Sequence, residues 1–407
     1  MTAPAWDSFQ LVPDDVLFFR DGKPSTRGTD HYLRSLFPPY PTTLYGALRT
    51  RRLADAGVEL AGLRERTWEQ RLGEKLVQEL GAWGGFGSLA LRGPWLVHEG
   101  EPLLPAPLDL GLLLEPAGSD KAPPKIASVV RFLPDLQAEK RWSHPLARLT
   151  PAAWTGSGWV RWTCPALGVE PSSAAGWYLK PAGLLAWRNG GAPSPDHFVR
   201  ASDLWTEEAR TGVGLQTGQR TSEDGLLYTF GFIRLLPGVA LGFEVQGSFL
   251  ATGGRVRLGG EGRTAVLETG PGFPEADLQP RGELVVLSYA SPAVSHGGAY
   301  PPGFSETRLE GTLGGRRLRL VAAAVPGFLP IGGWDLARGE AKPLRRAIPS
   351  GSVYVFQPLE GSGAADAAAA LHGLCLTENL DALDRQGFGL AVAGAVSGGP
   401  LGNENLF

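Results

Sequence analysis

Along the chain, apolar positions switch between the two-residue spacing of strands and the three-to-four-residue spacing of helices. The run over residues 9–19 reads as a buried strand broken by the turn Pro13-Asp14-Asp15, and it delivers Arg20 to the surface. Asp21-Gly22-Lys23-Pro24 then opens a polar loop, which closes on the rigid segment Pro38-Pro39-Tyr40-Pro41. A helix is expected from Leu44, with Thr42 or Thr43 as its N-cap and Leu44, Ala47 and Leu48 on one face. Arg49 and Arg52 share a neighbouring strip, and Gly46 inside the helix implies a close approach to its backbone. Trp68, Leu72, Leu76 and Leu80 recur every four residues before Gly81, which predicts an amphipathic helix. Two strand-like runs follow, residues 88–98 and 103–114, joined by a turn at Glu99-Gly100-Glu101-Pro102.

Periodicity fades over residues 115–195, where Pro, Gly and Ser mix with six tryptophans, and this predicts an inserted subdomain or long packed loops. Lys121, Lys125, Arg131, Lys140, Arg141 and Arg148 lie there, more readily as a solvated rim than as ligands. A helix is expected over residues 196–210, a Gly-rich excursion after Arg210, and a strand over 226–235. Strands follow at 241–245, 255–258, 283–289, 318–325 and from Val353. An Ala-rich helix covers 364–372, a second helical segment is capped by Thr377, and Gly387, Gly389 and Gly394 surround a tight turn into a final strand.

At 407 residues, with 57 Gly, 34 Pro and 43% hydrophobic residues, the chain is globular, turn-rich and long enough for two domains. The expected fold class is α+β. Cys164 and Cys375 form neither a zinc motif nor a disulfide framework, no stretch nears the ~20 apolar residues of a membrane span, and residues 1–15 lack a secretory pattern. A cytoplasmic setting without membrane contact is expected.

Charge adds a candidate chemistry. The net charge is −3, yet residues 20–52 hold seven basic residues (Arg20, Lys23, Arg27, Arg34, Arg49, Arg51, Arg52) against Asp21 and Asp30. Tyr32, Phe37 and Tyr40 stand among them, a mixture suited to phosphates with bases stacked alongside. Residues 316–346 repeat the balance, with Arg316, Arg317, Arg319, Arg338, Lys342, Arg345 and Arg346 against Asp335 and Glu340, around Trp334. Two such clusters can face one groove, or the second can meet an acidic protein. The six histidines form no HExxH or HxH pair, and there is no GxSxG or P-loop, so no catalytic residue, metal ligand or cofactor is assigned. His31, in the basic loop, and His296, in a Gly-rich segment, are the histidines placed to act as a general acid or base, and a structural or contacting role outweighs that reading.

Several stretches resemble one family. They are FFRDGKP and FPPYPTTLYGALRTRRL at residues 18–24 and 37–53, RTGVGLQTGQRTSEDGLLYTFGFIRLLPG at 210–238, and LGGEGRTAVLE at 258–268. VPGFLPIGGWDLARGEAKPLRRAIPSGSVYVFQ at 325–357 and the Gly-rich DRQGFGLAVAGAVSGG at the end belong with them. Together they resemble the third subunit of the Cmr-type, type III-B CRISPR effector complex, in the RAMP superfamily of RNA-binding proteins. The resemblance implies two tandem ferredoxin-like, RRM-related domains, residues 1–240 with an insertion at about 115–195 and residues 241–407. It implies a non-catalytic subunit that binds the 5′ tag of the CRISPR RNA in antiviral defence. Its partners would be the large cyclase-like subunit and the repeating backbone subunit, with target RNA met only indirectly. The RNA-binding residues expected on this basis are Arg20, Lys23, Arg27, Arg34, Tyr40, Thr42, Thr43, Arg49, Arg52, Arg210, Arg220, Trp334, Lys342, Arg345 and Arg346, with Gly387 and Gly389 admitting RNA or a neighbouring strand to the backbone. Two alternatives stand beside it: a RAMP endoribonuclease that processes guide precursors, and a Trp- and Gly-rich module that binds polysaccharide.

Overall fold

In the computed structural model the described residues are 5–20, 32–61, 63, 65–115, 124–134, 152–154, 159–163, 171–215, 222–247, 250–275, 282–335, 339–359 and 363–398. The protein is mixed α+β and strand-rich, with few helices and several sheets.

The run that opens the chain becomes the strand Trp6–Pro13, and Val16 to Phe19 continue buried after the turn. Trp6–Pro13 lies inside an eight-stranded antiparallel sheet whose order is Phe198–Arg200, Trp177–Leu179, Glu101–Pro105, Leu91–His98, Val239–Gln246, Trp6–Pro13, Thr264–Thr269, Arg255–Arg257. Its alternation sets two faces. Phe9, Leu11, Leu241 and Phe243 point to the helix Pro41–Asp55 and the segment Glu65–Leu80, while Trp95, Val97 and Ala240 point the other way. Leu44, Leu48, Trp68, Leu72, Leu76 and Leu80 are buried on the helical side, as their spacing predicts. Each such side chain contributes roughly 1.5–3 kcal/mol by leaving water.

Three local expectations fail here. Neither Thr42 nor Thr43 caps the first helix: Tyr40 is the N-cap, without a side-chain bond, and Pro41 starts the helix with its fixed φ. Gly46 is exposed, with nothing within 4 Å of the place of a Cβ. The segment Glu65–Leu80 is broken at Gly73, whose φ of 71° and ψ of 167° leave the helical region.

The chain stays within the first sheet past the boundary expected near residue 240. Val239–Gln246, Arg255–Arg257 and Thr264–Thr269 are hydrogen-bonded into the first sheet, because Leu241 and Leu267 flank Leu11 on either side. A second antiparallel sheet begins at Leu284, in the order Glu310–Leu313, Arg316–Ala324, Val353–Pro358, Leu284–Tyr289, Ala391–Val396. Val285, Leu287 and Tyr289 face the helix Ala364–Leu371, and Leu284 and Val286 join Trp95 and Ala240 of the first sheet in one core. The layers therefore run helix, sheet, sheet, helix.

In the stretch expected to be an inserted subdomain or long packed loops, Ile126–Arg131 pairs with the strand Leu110–Leu114 just ahead of it, and Pro181–Arg188 forms a helix. That helix starts at Pro181, buries Leu184 and Trp187, and lies along the outer strand Ala391–Val396, where Arg188 Nε donates to Ala393 O at 2.9 Å. Arg131, a possible RNA contact from charge alone, is buried: its Nε donates to Asp109 Oδ2 at 2.9 Å and its Nη1 to Trp187 O at 2.7 Å. The helix expected over 196–210 is absent. Short 3₁₀ turns at Pro195–His197 and Ala201–Asp203 flank the strand Phe198–Arg200, and Trp205–Leu215 pairs with Ser222–Leu235 in a long hairpin. Alternation of Glu208 and Arg210 with Glu207 and Ala209 outweighs local helical preference there. After Leu371 the chain makes turns in place of a second helix, and the Thr377 hydroxyl accepts from Val294 N and donates to Val294 O.

His372 closes the second core against the first. Its Nδ1 accepts from Ala393 N at 3.3 Å, its Nε2 lies 2.9 Å from Pro274 O, and its ring lies tilted against Phe273 with centroids 5.0 Å apart. Burial, aided by the nearby Arg188 charge, pushes its pKa down from 6.5 to about 3. Between these values the unfolded chain binds a proton that the folded one refuses, so this contribution to stability is complete above pH 6.5 and is lost as pH falls towards 3. Going from pH 7 to pH 5 should cost about 2 kcal/mol through this group. Urea unfolding at the two pH values should show a larger loss in the wild type than in His372→Gln.

Candidate nucleic-acid interface

The two sheets are bridged at one end by a hairpin from the second half. Leu329–Ile331 pairs with Arg345–Ile348, and Trp334–Asp335 pairs with Glu340–Ala341. This hairpin reaches the start of the helix Pro41–Asp55: Tyr40 OH lies 3.5 Å from Pro330 O, and Lys342 Nζ donates to Thr42 Oγ1 at 3.3 Å. Thr42, Phe86, Lys342, Arg345, Asp381 and Phe388 are among the residues lining the cleft between them. Residues 300 positions apart thus meet, and the uncapped helix start adds its partial positive charge. Burial lowers the Lys342 pKa, while Asp335 and Asp381 pull it back up. Arg345 pairs with Asp381. The cleft is a mixed field of charge with aromatic walls.

Other expected ligands have structural duties. Arg49 donates to Leu80 O at 2.9 Å and sits 5.9 Å from the Tyr45 and Phe86 ring centres, and burial lowers its pKa. Arg52 Nε is 2.8 Å from Glu79 Oε2. Both tie the helix Pro41–Asp55 to the segment Glu65–Leu80. Thr43 N bonds Tyr40 O within the first turn. Arg346 lies over Phe328 at 5.0 Å, and Trp334 is 59% exposed on the bridging hairpin. Gly387 and Gly389 do serve close backbone approaches, but the approaching chain is the protein's own. With φ of 96° and 71°, their missing side chains make room for the carbonyls of Gly93 and Leu376.

A second group surrounds the long hairpin. The strand Tyr32–Arg34 adds to it in parallel, Arg20 bridges to Ser35, and Arg34 lies 5.7 Å from the Tyr32 ring centre. Tyr32 OH reaches the Glu207 carboxylate across Gly231, which has no side chain to block it. Arg210 is bound to Glu208 and Asp15, Arg234 joins both carboxylates, and Arg263 joins Asp15. The sequence carries no signal for Arg234 and Arg263, which stand alone in apolar or Gly-rich surroundings. Phe86, Asp381 and Phe388 were equally silent as cleft walls. Lys23, Arg27, His31 and Arg220 lie outside the described residues. His296, exposed, gives its backbone N–H to Glu378.

A model of the family described as CRISPR-associated protein (Cas_Cmr3) matches residues 9–396. No curated protein matches the sequence. Among solved structures, the chain is similar to one in a cryo-EM structure of the type III-B Cmr-beta complex bound to cognate target RNA and AMPPNP, with 14% identity, 86% of each chain covered and a TM-score of 0.46. A chain of that complex bound to cognate target RNA gives 14% identity, the same coverage and a TM-score of 0.45. A chain of the crystal structure of a Csm3–Csm4 subcomplex from the type III-A interference complex gives 12% identity, 88% and 94% coverage and a TM-score of 0.30.

Proposed function

Because the chain belongs to the CRISPR-associated Cas_Cmr3 family and is a Cmr3-type effector subunit, we propose that it holds the 5′ tag of the guide RNA without cutting it, and docks the large cyclase-like and repeating backbone subunits beside it. The observation that carries this reading is the meeting of Thr42 with Lys342 and Arg345 at the mouth of a helix, since amide donors, an ammonium and a guanidinium are the groups that hold phosphate. Phe86 in the cleft, and Trp334 exposed on the bridging hairpin, offer rings for unstacked bases. Contact with target RNA would be indirect.

The reading extends to the fold. The order Leu91–His98, Val239–Gln246, Trp6–Pro13, Thr264–Thr269 is that of a ferredoxin-like unit that keeps only its first helical crossover. Arg316–Ala324, Val353–Pro358, Leu284–Tyr289, Ala391–Val396 repeats the order and keeps only the second crossover, the helix Ala364–Leu371. The strand orders support two ferredoxin-like halves, each with a single helical layer.

Filter binding of labelled guide RNA, with its repeat-derived tag intact or scrambled, tests the function, with and without the large subunit. Replacing Lys342 and Arg345 together by alanine should weaken tag-dependent binding roughly tenfold or more, as loss of charge-assisted bonds to phosphate does. Affinity should fall steeply with salt, and the RNA should stay intact. Binding that ignores the tag, or cleavage lost in His296→Ala, would sink the proposal.

A further inference from the structure

At the base of the long hairpin, three guanidinium groups from separate strands and turns converge on two carboxylates. Arg210 Nε is 2.7 Å from Glu208 Oε1, and its Nη2 is 3.1 Å from Asp15 Oδ2. Arg234 Nη2 is 3.0 Å from Asp15 Oδ1, and its Nε donates to Glu208. Arg263 Nη1 is 3.5 Å from Asp15 Oδ2. Beneath them lies Phe232, 4% exposed, with its ring centre 5.4 Å from the Arg210 guanidinium and 4.6 Å from that of Arg263. The ring holds these groups in fixed places and leaves their N–H edges to bond sideways and outward.

Two features separate this cluster from a set of structural ion pairs. Among the described residues its charges do not cancel, since three cations face two anions. Its members remain accessible, with side chains between 25% exposed for Arg263 and 42% for Asp15. Pairs that open to solvent contribute only about 0–1 kcal/mol each, so Asp15 is held weakly enough to be displaced. A phosphodiester presents oxygens spaced like those of a carboxylate and accepts the same forked donors. Hydrogen bonds from Arg234 and Arg210 keep the Glu208 carboxyl below its usual range, so it stays ionised and orients both side chains.

We propose that Arg210, Arg234 and Arg263 form a site for one phosphodiester of a bound RNA strand, and that Asp15 occupies it as an internal stand-in for phosphate until RNA displaces it. The proposal rests on the RNA-binding reading above, but uses residues distant in sequence from the bridging hairpin's cleft. Only Arg210 among them was marked by the sequence.

The test uses the full chain and a labelled single-stranded guide RNA, titrated at several salt concentrations. Arg234→Gln and Arg263→Gln should each weaken binding about five- to tenfold and reduce the salt slope by about one, as expected when a phosphate contact is lost. Asp15→Asn should tighten binding about threefold or more, because one like charge beside the phosphate is gone. Thermal melting of each variant, within a few degrees of the wild type, should accompany these changes. Wild-type affinity and slope in both arginine variants would overturn the site and leave the RNA-binding reading standing. So would weaker binding in Asp15→Asn, which would make Asp15 an anchor. A wild type that binds no RNA at all would overturn both.

Discussion

Asp109→Ala should lower the stability of the protein by about 3–5 kcal/mol, the usual cost of leaving one member of a buried ion pair alone. Asp109 is 1% exposed and accepts bonds from Arg131 Nε at 2.9 Å and from Trp187 Nε1 at 2.8 Å. Arg131 also lies 4.9 Å from the Trp187 ring centre and donates to the carbonyls of Trp187 and Gly191. Without the carboxylate, a guanidinium and an indole N–H stay buried with partners missing, and the helix Pro181–Arg188 keeps only part of its tie to the strand Ile126–Arg131, through Arg131 and the carbonyl of Trp187. Guanidinium unfolding should show a lower midpoint with an unchanged slope. The double variant Asp109→Leu with Arg131→Met should recover much of the loss, since no buried charge then remains. If the double variant is as unstable as the single one, packing and not charge is the cause.

Gly389→Ala should cost about 2–4 kcal/mol, from a left-handed backbone that disfavours a Cβ and from overpacking against atoms that cannot turn aside. Gly389 has φ of 71° and is pinned on both sides: its N donates to Pro292 O at 2.8 Å, and its O accepts from Leu376 N at 2.7 Å. A methyl group there meets the Leu376 backbone. Thermal melting measures the effect. A wild-type melting temperature would show that the segment shifts without penalty, which the paired backbone bonds argue against.

What the sequence revealed depended on the range of the interaction. Trp68, Leu72, Leu76 and Leu80 declare a buried stripe by spacing alone, and all four are buried. Most of the strands after residue 240 were visible for the same reason, though their assignment to sheets was not. No local pattern says that Leu267 lies beside Leu11, so sheet membership past residue 240 is invisible in the sequence. The arginines show a similar limit. Arg49 reads as a phosphate ligand by charge, but the carbonyl of Leu80 lies 31 residues away and claims it. Lys342 and Thr42 were both marked, while the contact between them became visible only with the fold. Arg234 and Arg263, as isolated arginines, give no local signal, and their common partner Asp15 lies more than 200 residues away.

The cover that Pro181–Arg188 lays over Ala391–Val396 has a consequence for synthesis on the ribosome. An open strand edge invites pairing with other chains, and here the shield is translated about 200 residues before the strand it protects. When that strand emerges, Leu284–Tyr289 on one side and the helix on the other are already waiting, so it enters a prepared slot. Asp381 and Phe388, which help wall the cleft, come just ahead of it. A nascent chain therefore has no finished cleft until Phe388 has been made.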